Sequence, residues 1–445
     1  MTREILLDTC ERVLALVGDR AEAEVTVTSG RSALTRFANS YIHQNVADAG
    51  QWARLKVVVD GRLATASTSR LATGLKDLVE RALEAAQLRP VDPGWPGLAP
   101  PADAPESVAY DEETHVAPPD ARAAVVEGFV RAGDGLRLTA AGFCSTGGHE
   151  TAFANSAGQR LWSRTSHAMV EGIQRSDALD GGAQQISARI ADIDGAAAGR
   201  RAAEKARRPE AEPIDVGPGE WEVILEPNCV TDILDFVTGH GFNAKHHAEG
   251  QSFVRLGEAQ LDPQVSIFDD ATDPRSLGAA FDAEGTPRRR LDLVVGGVSA
   301  ALCHDRRTAR AAGLGVQSTG HAVGGGESAG PVPTHVFLEP GRRTLAEMIA
   351  SVERGLLVTD LWYTRILDPK TTVVTGLTRN GTFLIEDGRV TRAVRNLRFT
   401  QSYVEALGPG NVLGIGNDAR LAGEKEHHSP TLHLKAWNFT GGARA

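Results

Sequence analysis

The chain of 445 residues has few of the residues that mark specialised folds. It holds four cysteines, Cys10, Cys144, Cys229 and Cys303, widely spaced and with no Cys-x-x-Cys pair, which argues against a disulfide framework and a structural zinc knuckle. Aromatic residues make up only 5% and methionines number three. The longest nearly apolar run, from Leu293 to Cys303, is far shorter than the ~20 residues that span a bilayer as a helix. The opening Thr2-Arg3-Glu4-Ile5-Leu6-Leu7-Asp8 carries acidic residues and is unlike a secretory leader, so a soluble cytoplasmic protein is expected. Positive charge is in deficit as well. A net charge of −10 argues against a nucleic-acid backbone as the main partner, and the single basic run, Arg288-Arg289-Arg290, is expected to be a solvated loop.

What is present suits a globular protein of about two domains, with 41% apolar residues for burial and 23% charged residues of both signs. Leu6, Cys10, Val13, Leu14 and Val17 recur on one helical face, as do Leu75, Leu78, Val79, Ala82 and Leu83 after Thr73, taken as an N-cap. Strands are expected at 23–28, and at 55–59 and 62–68 around the hairpin signal Asp60-Gly61. Residues 90–119 contain eight prolines and read as a long loop. A helix from Asp120, strands near 136–143 and 151–155, and a polar helix over 195–208 complete the first half.

Pro209-Glu210-Ala211-Glu212-Pro213 and Gly217-Pro218-Gly219 read as a connection, dividing the chain into 1–213 and 214–445. Strand signals follow at 221–225, 291–295, 335–338, 371–375 and 382–386. Asn380-Gly381 and Asp387-Gly388 suggest turns of a tight meander, and Thr344-Leu345-Ala346-Glu347 is a capping box. The fold class is therefore α+β: an N-terminal α/β-type domain with a mixed or antiparallel sheet, then a mainly antiparallel β domain.

The most informative stretch is Asp235-Phe236-Val237-Thr238-Gly239-His240. Val230, Ile233, Leu234 and Val237 place it on a core-packing helix, with Asn228 as the expected N-cap. On an ideal helix positions 235 and 240 lie about 140° apart, so joint use of both requires a distorted or ending turn, which Gly239 and Gly241 can supply. A hydrolytic zinc site needs about three protein ligands, an open position for water, and a base. Asp235 can ligate; Phe236 can neither take nor give a proton.

This hexamer resembles the motif of the TldD/TldE (PmbA, modulator of DNA gyrase) family. The catalytic TldD branch carries His-Glu-x-x-x-His in that register. Here Asp235 and Phe236 stand at the first His and the Glu, and only His240 is retained. Further family-like blocks follow in order: Ser29-Gly30-Arg31-Ser32, Phe281-Asp282-Ala283-Glu284-Gly285-Thr286-Pro287, Gln317-Ser318-Thr319-Gly320-His321 and Leu338-Glu339-Pro340-Gly341. The family's late Cys-Gly segment corresponds to Asn411–Asn417, where the resemblance puts Leu413 or a neighbour at the ligand position. A leucine binds no metal.

The resemblance therefore implies a TldE-like subunit of a zinc metallopeptidase assembly that acts on peptides. Such a chain binds no cofactor of its own, and a TldD-like heterodimer partner holds the zinc. Two other readings stay open: a self-sufficient metallohydrolase using His240 with Asp235, His246 or His247, and a homodimeric peptide-binding protein. Of the remaining candidates, Glu249 and the cluster His427, His428 and His433 read as surface-loop residues, and residues 313–330, with seven glycines, as a flexible loop. Ser318 lacks a nucleophile-elbow context, and His321 beside it does not make a triad.

Overall fold

A computed structural model describes residues 2–207, 212–325 and 328–442. The expected Pro209-Glu210-Ala211 part of the connection, Arg208 at the end of the polar helix, and Gly326 of the glycine loop lie outside these residues.

The first half is a six-stranded antiparallel sheet backed by helices. In chain order it comprises α1 (Arg3–Val17), β1 (Glu22–Ala38), β2 (Tyr41–Val59), β3 (Arg62–Thr68), α2 (Leu75–Gln87), α3 (Glu112–His115), α4 (Pro119–Arg131), β4 (Thr139–Asn155), β5 (Arg160–Arg175), β6 (Asp180–Ser187) and α5 (Gly195–Arg207). The strand order is β3-β2-β1-β4-β5-β6. The apolar faces read from sequence pack as two adjacent cores: Leu6, Cys10, Val13, Leu78 and Val79 meet Val25, Val27 and Leu55, while Val126, Phe129, Ala198 and Ala202 meet Phe37, Cys144 and Val170. The strands expected at 136–143 and 151–155 are one continuous strand, β4. Thr73 does not cap α2; Gly74 takes that position, fixed by its N–H bond to the Arg70 carbonyl.

The proline-rich segment ties the halves together instead of lying over the first alone. Arg306 donates to the carbonyls of Gly97 and Leu98, at 3.3 and 2.7 Å, and Arg307 pairs with Asp92 at 3.0 Å.

The second half runs β7 (Gly219–Leu225), α6 (Pro227–Phe236), α7 (Ala244–Ala248), β8 (Ile267–Asp269), β9 (Leu291–Val295), β10 (Val298–Ser299), α8 (Arg306–Ala312), β11 (Val336–Leu338), α9 (Leu345–Ala350), β12 (Arg354–Asp368), β13 (Val373–Glu386), β14 (Arg389–Ala393), β15 (Leu397–Ser402), α10 (Tyr403–Ala406), β16 (Val412–Ile415), β17 (Arg420–Ala422), β18 (His427–Ser429) and β19 (Leu432–Gly442). One sheet has the order β12-β7-β19-β15-β13-β14, with β16 on β19, and closes on itself because β12 also pairs with β13. The other has the order β10-β9-β8-β11-β18-β17. Most pairings are antiparallel; β7 with β12 and β11 with β18 are parallel.

Asn380-Gly381 is not a turn. Both residues lie inside β13 at φ 57° and 125°, forming an irregularity opposite Thr359, which clasps it by donating to the carbonyls of Asn380 and Gly381 at 2.9 Å each. Asp387-Gly388 does make the turn into β14, and Thr344 with Glu347 forms the expected capping box.

Helix α6 sits at the heart of the second domain. Val230, Ile233, Leu234 and Val237 are fully buried in the main core against Val223, Leu225, Val358 and Leu432. Burial of that order is worth roughly 1.5–3 kcal/mol for each side chain. The helix starts two positions earlier than Asn228 would allow: Glu226 is the N-cap and Pro227 the first helical residue, where its fixed φ and missing N–H cost nothing. Glu226 makes no side-chain cap, because its carboxylate is engaged with the other domain.

Candidate functional site

At its C-terminal end α6 widens into a π-turn over Val237–Gly241. The i→i+5 closure of such a turn brings positions 235 and 240 toward one side, as their spacing requires. The two side chains feel each other: Asp235 pulls the His240 pKa up, while burial and the neighbouring His246 press it below the ordinary histidine value and win. His240 is thus neutral near pH 7.

The His240 ring is sandwiched. Phe236 stacks on it at 6.1 Å and 8°, and His246 stacks at 5.5 Å and 15°. Phe236 also meets Tyr403 edge-on at 5.9 Å. Phe236 therefore covers one face of His240 with an aromatic ring that can neither take nor give a proton.

Asp235 faces the hairpin of β17 and β18. Its carboxylate lies 3.8 Å from Lys425 Nζ and 3.8 Å from His427 Nε2. Burial pushes its pKa up, but His427, Lys425 and His240 together outweigh this and hold it below the usual range. His427 is 2% exposed, and neither ring nitrogen has a hydrogen-bond partner.

Leu413 is in β16 and exposed, with its carbonyl accepting from Arg343 at 3.4 Å. The C-terminal residues that meet Asp235 are Lys425 and His427. His246 belongs to α7, whose cap is Asn243; His247 and Glu249 are exposed, and Glu249 pairs with Lys245 at 2.8 Å.

His427, His428 and His433 are not surface-loop residues, because β18 and β19 bury all three, and the histidines other than His427 have separate partners. His428 stacks on Phe337 at 4.9 Å, and His433 Nε2 lies 2.7 Å from Glu222. His321 is locked between Asp269, at 3.2 Å, and Thr319, at 2.8 Å, while the Ser318 hydroxyl donates to the His304 carbonyl.

Among the described residues no group of three His, Cys, Asp or Glu side chains is arranged to hold a metal ion. Zinc is a poor fit to what is here. Asp235 and His427 approach each other, yet the third neighbour of Asp235 is an ammonium, and a cation beside a divalent ion is repelled.

Helix α6 borders a cavity of about 760 Å³ between the two domains along its whole length, from Asn228 to Asp235 and Phe236. Its walls come from β4 to β6 and α5 on one side and from α6, β12 and the β17–β18 hairpin on the other. Burial raises Asp232 to about 6 even though the Tyr403 and Thr364 hydroxyls donate to it at 2.6 and 2.7 Å. Burial raises Asp360 to about 7 against a 3.0 Å bond from Asn380. Glu226 behaves oppositely: Lys205 at 2.8 Å and Arg201 at 3.0 Å overcome burial and hold it at about 2. The cavity is thus lined by groups of both signs whose backbone supports belong to different domains.

Tyr403, Asp232, Lys425 and the Lys205–Glu226 pair escaped the sequence reading. Asp232 alone carried a signal, one helical turn before Asp235 on the same face. The others are brought in by strands and helices far away in the chain.

Two family models match. One, described as PmbA/TldA metallopeptidase C-terminal domain, covers residues 218–441, and one described as PmbA/TldA metallopeptidase domain 1 covers residues 23–86. The metalloprotease TldD homolog of Buchnera aphidicola is 24% identical over 208 residues, 46% of this chain and 42% of that protein. The TldD homolog of Haemophilus influenzae is 24% identical over 194 residues, 42% of this chain and 39% of that one. The matches thus span less than half the length of these relatives. The crystal structure of TldE from Thermococcus kodakarensis superposes with a TM-score of 0.86 at 20% identity, over 98% of this chain and 99% of that one, a likeness of fold.

Proposed function

The chain belongs to the PmbA/TldD metallopeptidase family, and from that premise we propose that it is a TldE-like subunit without a zinc site of its own, supporting a TldD-like partner that carries the metal. The observation that carries this reading is the ring of Phe236, stacked on His240 where the proton of a metal-bound water would have to be accepted. Lys425 beside Asp235 supports it, since an ammonium supplies the positive charge that a metal would otherwise bring. The role left to the chain is to hold peptide: its interdomain cavity is of the size that takes a short segment, and its charged walls offer hydrogen bonds to a main chain.

The test is elemental analysis and peptide cleavage on the purified chain, alone and mixed with a TldD-like protein. The expected result is sub-stoichiometric zinc and no cleavage alone, with the partner's activity raised on mixing. One zinc per isolated chain, with cleavage lost in His240→Ala, overturns it.

A second reading has one observation in its favour. Both nitrogens of buried His427 lack partners, with Nε2 directed toward Asp235, as in a non-standard metal set. It predicts zinc binding by the isolated chain that His427→Ala abolishes. The homodimeric reading predicts a stable dimer that leaves the activity of a TldD-like protein unchanged.

A further inference from the structure

The arginine run set aside as a solvated loop has a definite place. Arg288, Arg289 and Arg290 line a cavity of about 810 Å³, and α8 adds Arg306 and Arg310 to the same lining. The only carboxylate among its lining residues is Asp103. In a chain of net charge −10, five arginines and one aspartate in the lining of a single cavity are a strong local reversal.

These arginines are held mostly by neutral acceptors. Arg306 donates to the Gly97 and Leu98 carbonyls, and Arg310 to the Trp95 carbonyl. Arg288 is fixed by Thr334, at 2.7 Å, and by His335, at 3.0 Å. Burial and Arg288 itself press the His335 pKa down to about 3, so the imidazole stays neutral and adds no compensating charge. Arg290 forms ion pairs with Asp292 and Glu339, and Arg288 acts at longer range on the buried Asp269 and Asp282. Arg289 is exposed and shows no ion pair or hydrogen bond with the described residues. Two polar atoms at the cavity, Thr286 Oγ1 and Arg288 Nε, are buried without a partner.

Another part of the lining is apolar and stiff. Pro96, Pro100 and Pro105 come from the proline-rich segment, which α8 clamps in place. Proline walls keep their shape and offer no N–H to compete for an anion. The cations are spread along the cavity, from two separate elements, so they suit several spaced carboxylates better than one compact anion.

We infer that this cavity is a binding site for a short acidic peptide, its carboxylates on the arginines and its apolar side chains against the prolines. It shares no lining residue with the interdomain cavity and stands independently of the role proposed for that one.

The test is calorimetric titration of a blocked hexapeptide of alternating Glu and Ala into the full chain, beside its Gln-for-Glu counterpart and a short single-stranded oligothymidylate. The Glu peptide is expected to bind at least about tenfold tighter than the Gln peptide at about 50 mM salt, with most of that difference lost at about 300 mM. Arg289→Glu is expected to weaken it by about tenfold or more with an unchanged melting temperature, while Arg12→Glu on α1 leaves it unaltered. If Arg289→Glu lowers the melting temperature, Arg289→Gln serves the same comparison. Equal binding of the two peptides, wild-type affinity in the Arg289 variants, or tighter binding of the oligonucleotide overturns the inference.

Discussion

Glu226→Ala destabilises the chain by about 3–5 kcal/mol, read as a drop in the urea midpoint at pH 7, because it strands two cations in a place built for a pair. Glu226 is 4% exposed and accepts from Lys205 and Arg201, with Arg420 close enough to act on it. Lys205 is itself buried and can relieve its charge only by losing its proton. The pair spans the domains, joining α5 to the residue that caps α6, so its loss reaches the cavity as well as the fold. Its pH dependence has a definite sign. The folded carboxyl, at about 2, lies below its unfolded value near 4.3, so the stabilisation is complete above about pH 4.3 and fades as pH falls toward 2. A Glu226→Ala chain as stable as the wild type at pH 7 contradicts this account.

Asp360→Asn has the opposite effect and stabilises the chain at alkaline pH. Burial and the nearby Glu171 carboxylate raise Asp360 to about 7, so between roughly pH 4 and 7 the folded chain holds a proton there that the unfolded chain releases. Stability from this group is therefore full below about pH 4 and lost as pH rises through 7. An amide imitates the protonated form and keeps the bond with Asn380. The expected gain is about 2–4 kcal/mol at pH 8, falling to about 1 kcal/mol or less at pH 4.5, in urea titrations at both values. Buried neutral histidines such as His335 and His428 tilt the overall curve the other way, so the variant-minus-wild-type difference is the quantity to follow. A difference that does not change with pH shows that Asp360 is ionised throughout.

The parts of this molecule legible in its sequence are those set by near neighbours in the chain. The 3.6-residue spacing of Val230, Ile233, Leu234 and Val237 identified α6 and its buried face. The chemistry missing at Phe236 was plain from its side chain. Local signals misled where tertiary structure took over. Asn380-Gly381 has the positive φ angles of a turn, yet β12 pairs with β13 on both sides of it. Asn228 is a good capping residue two positions too late, displaced by the preference of Pro227 for the first turn. The surroundings of Asp235 were illegible because Lys425 and His427 arrive on a hairpin nearly two hundred residues downstream, and no periodicity encodes that approach. Leu413 was selected by its place in a sequence motif, and such a place does not fix which residue of a C-terminal segment touches a helix.

The widened turn after α6 has a consequence for redesign. One extra residue is looped into the ladder there, so removing Gly239 would wind the coil tighter, swing the imidazole out of its stack and drag Asn243 and the short helix behind it out of step. With the loop left alone, the polypeptide already follows the path that two ligands five positions apart demand. Rebuilding an ion-holding pair would accordingly call for exchanging side groups, Lys425 among them, with no remodelling of the main chain.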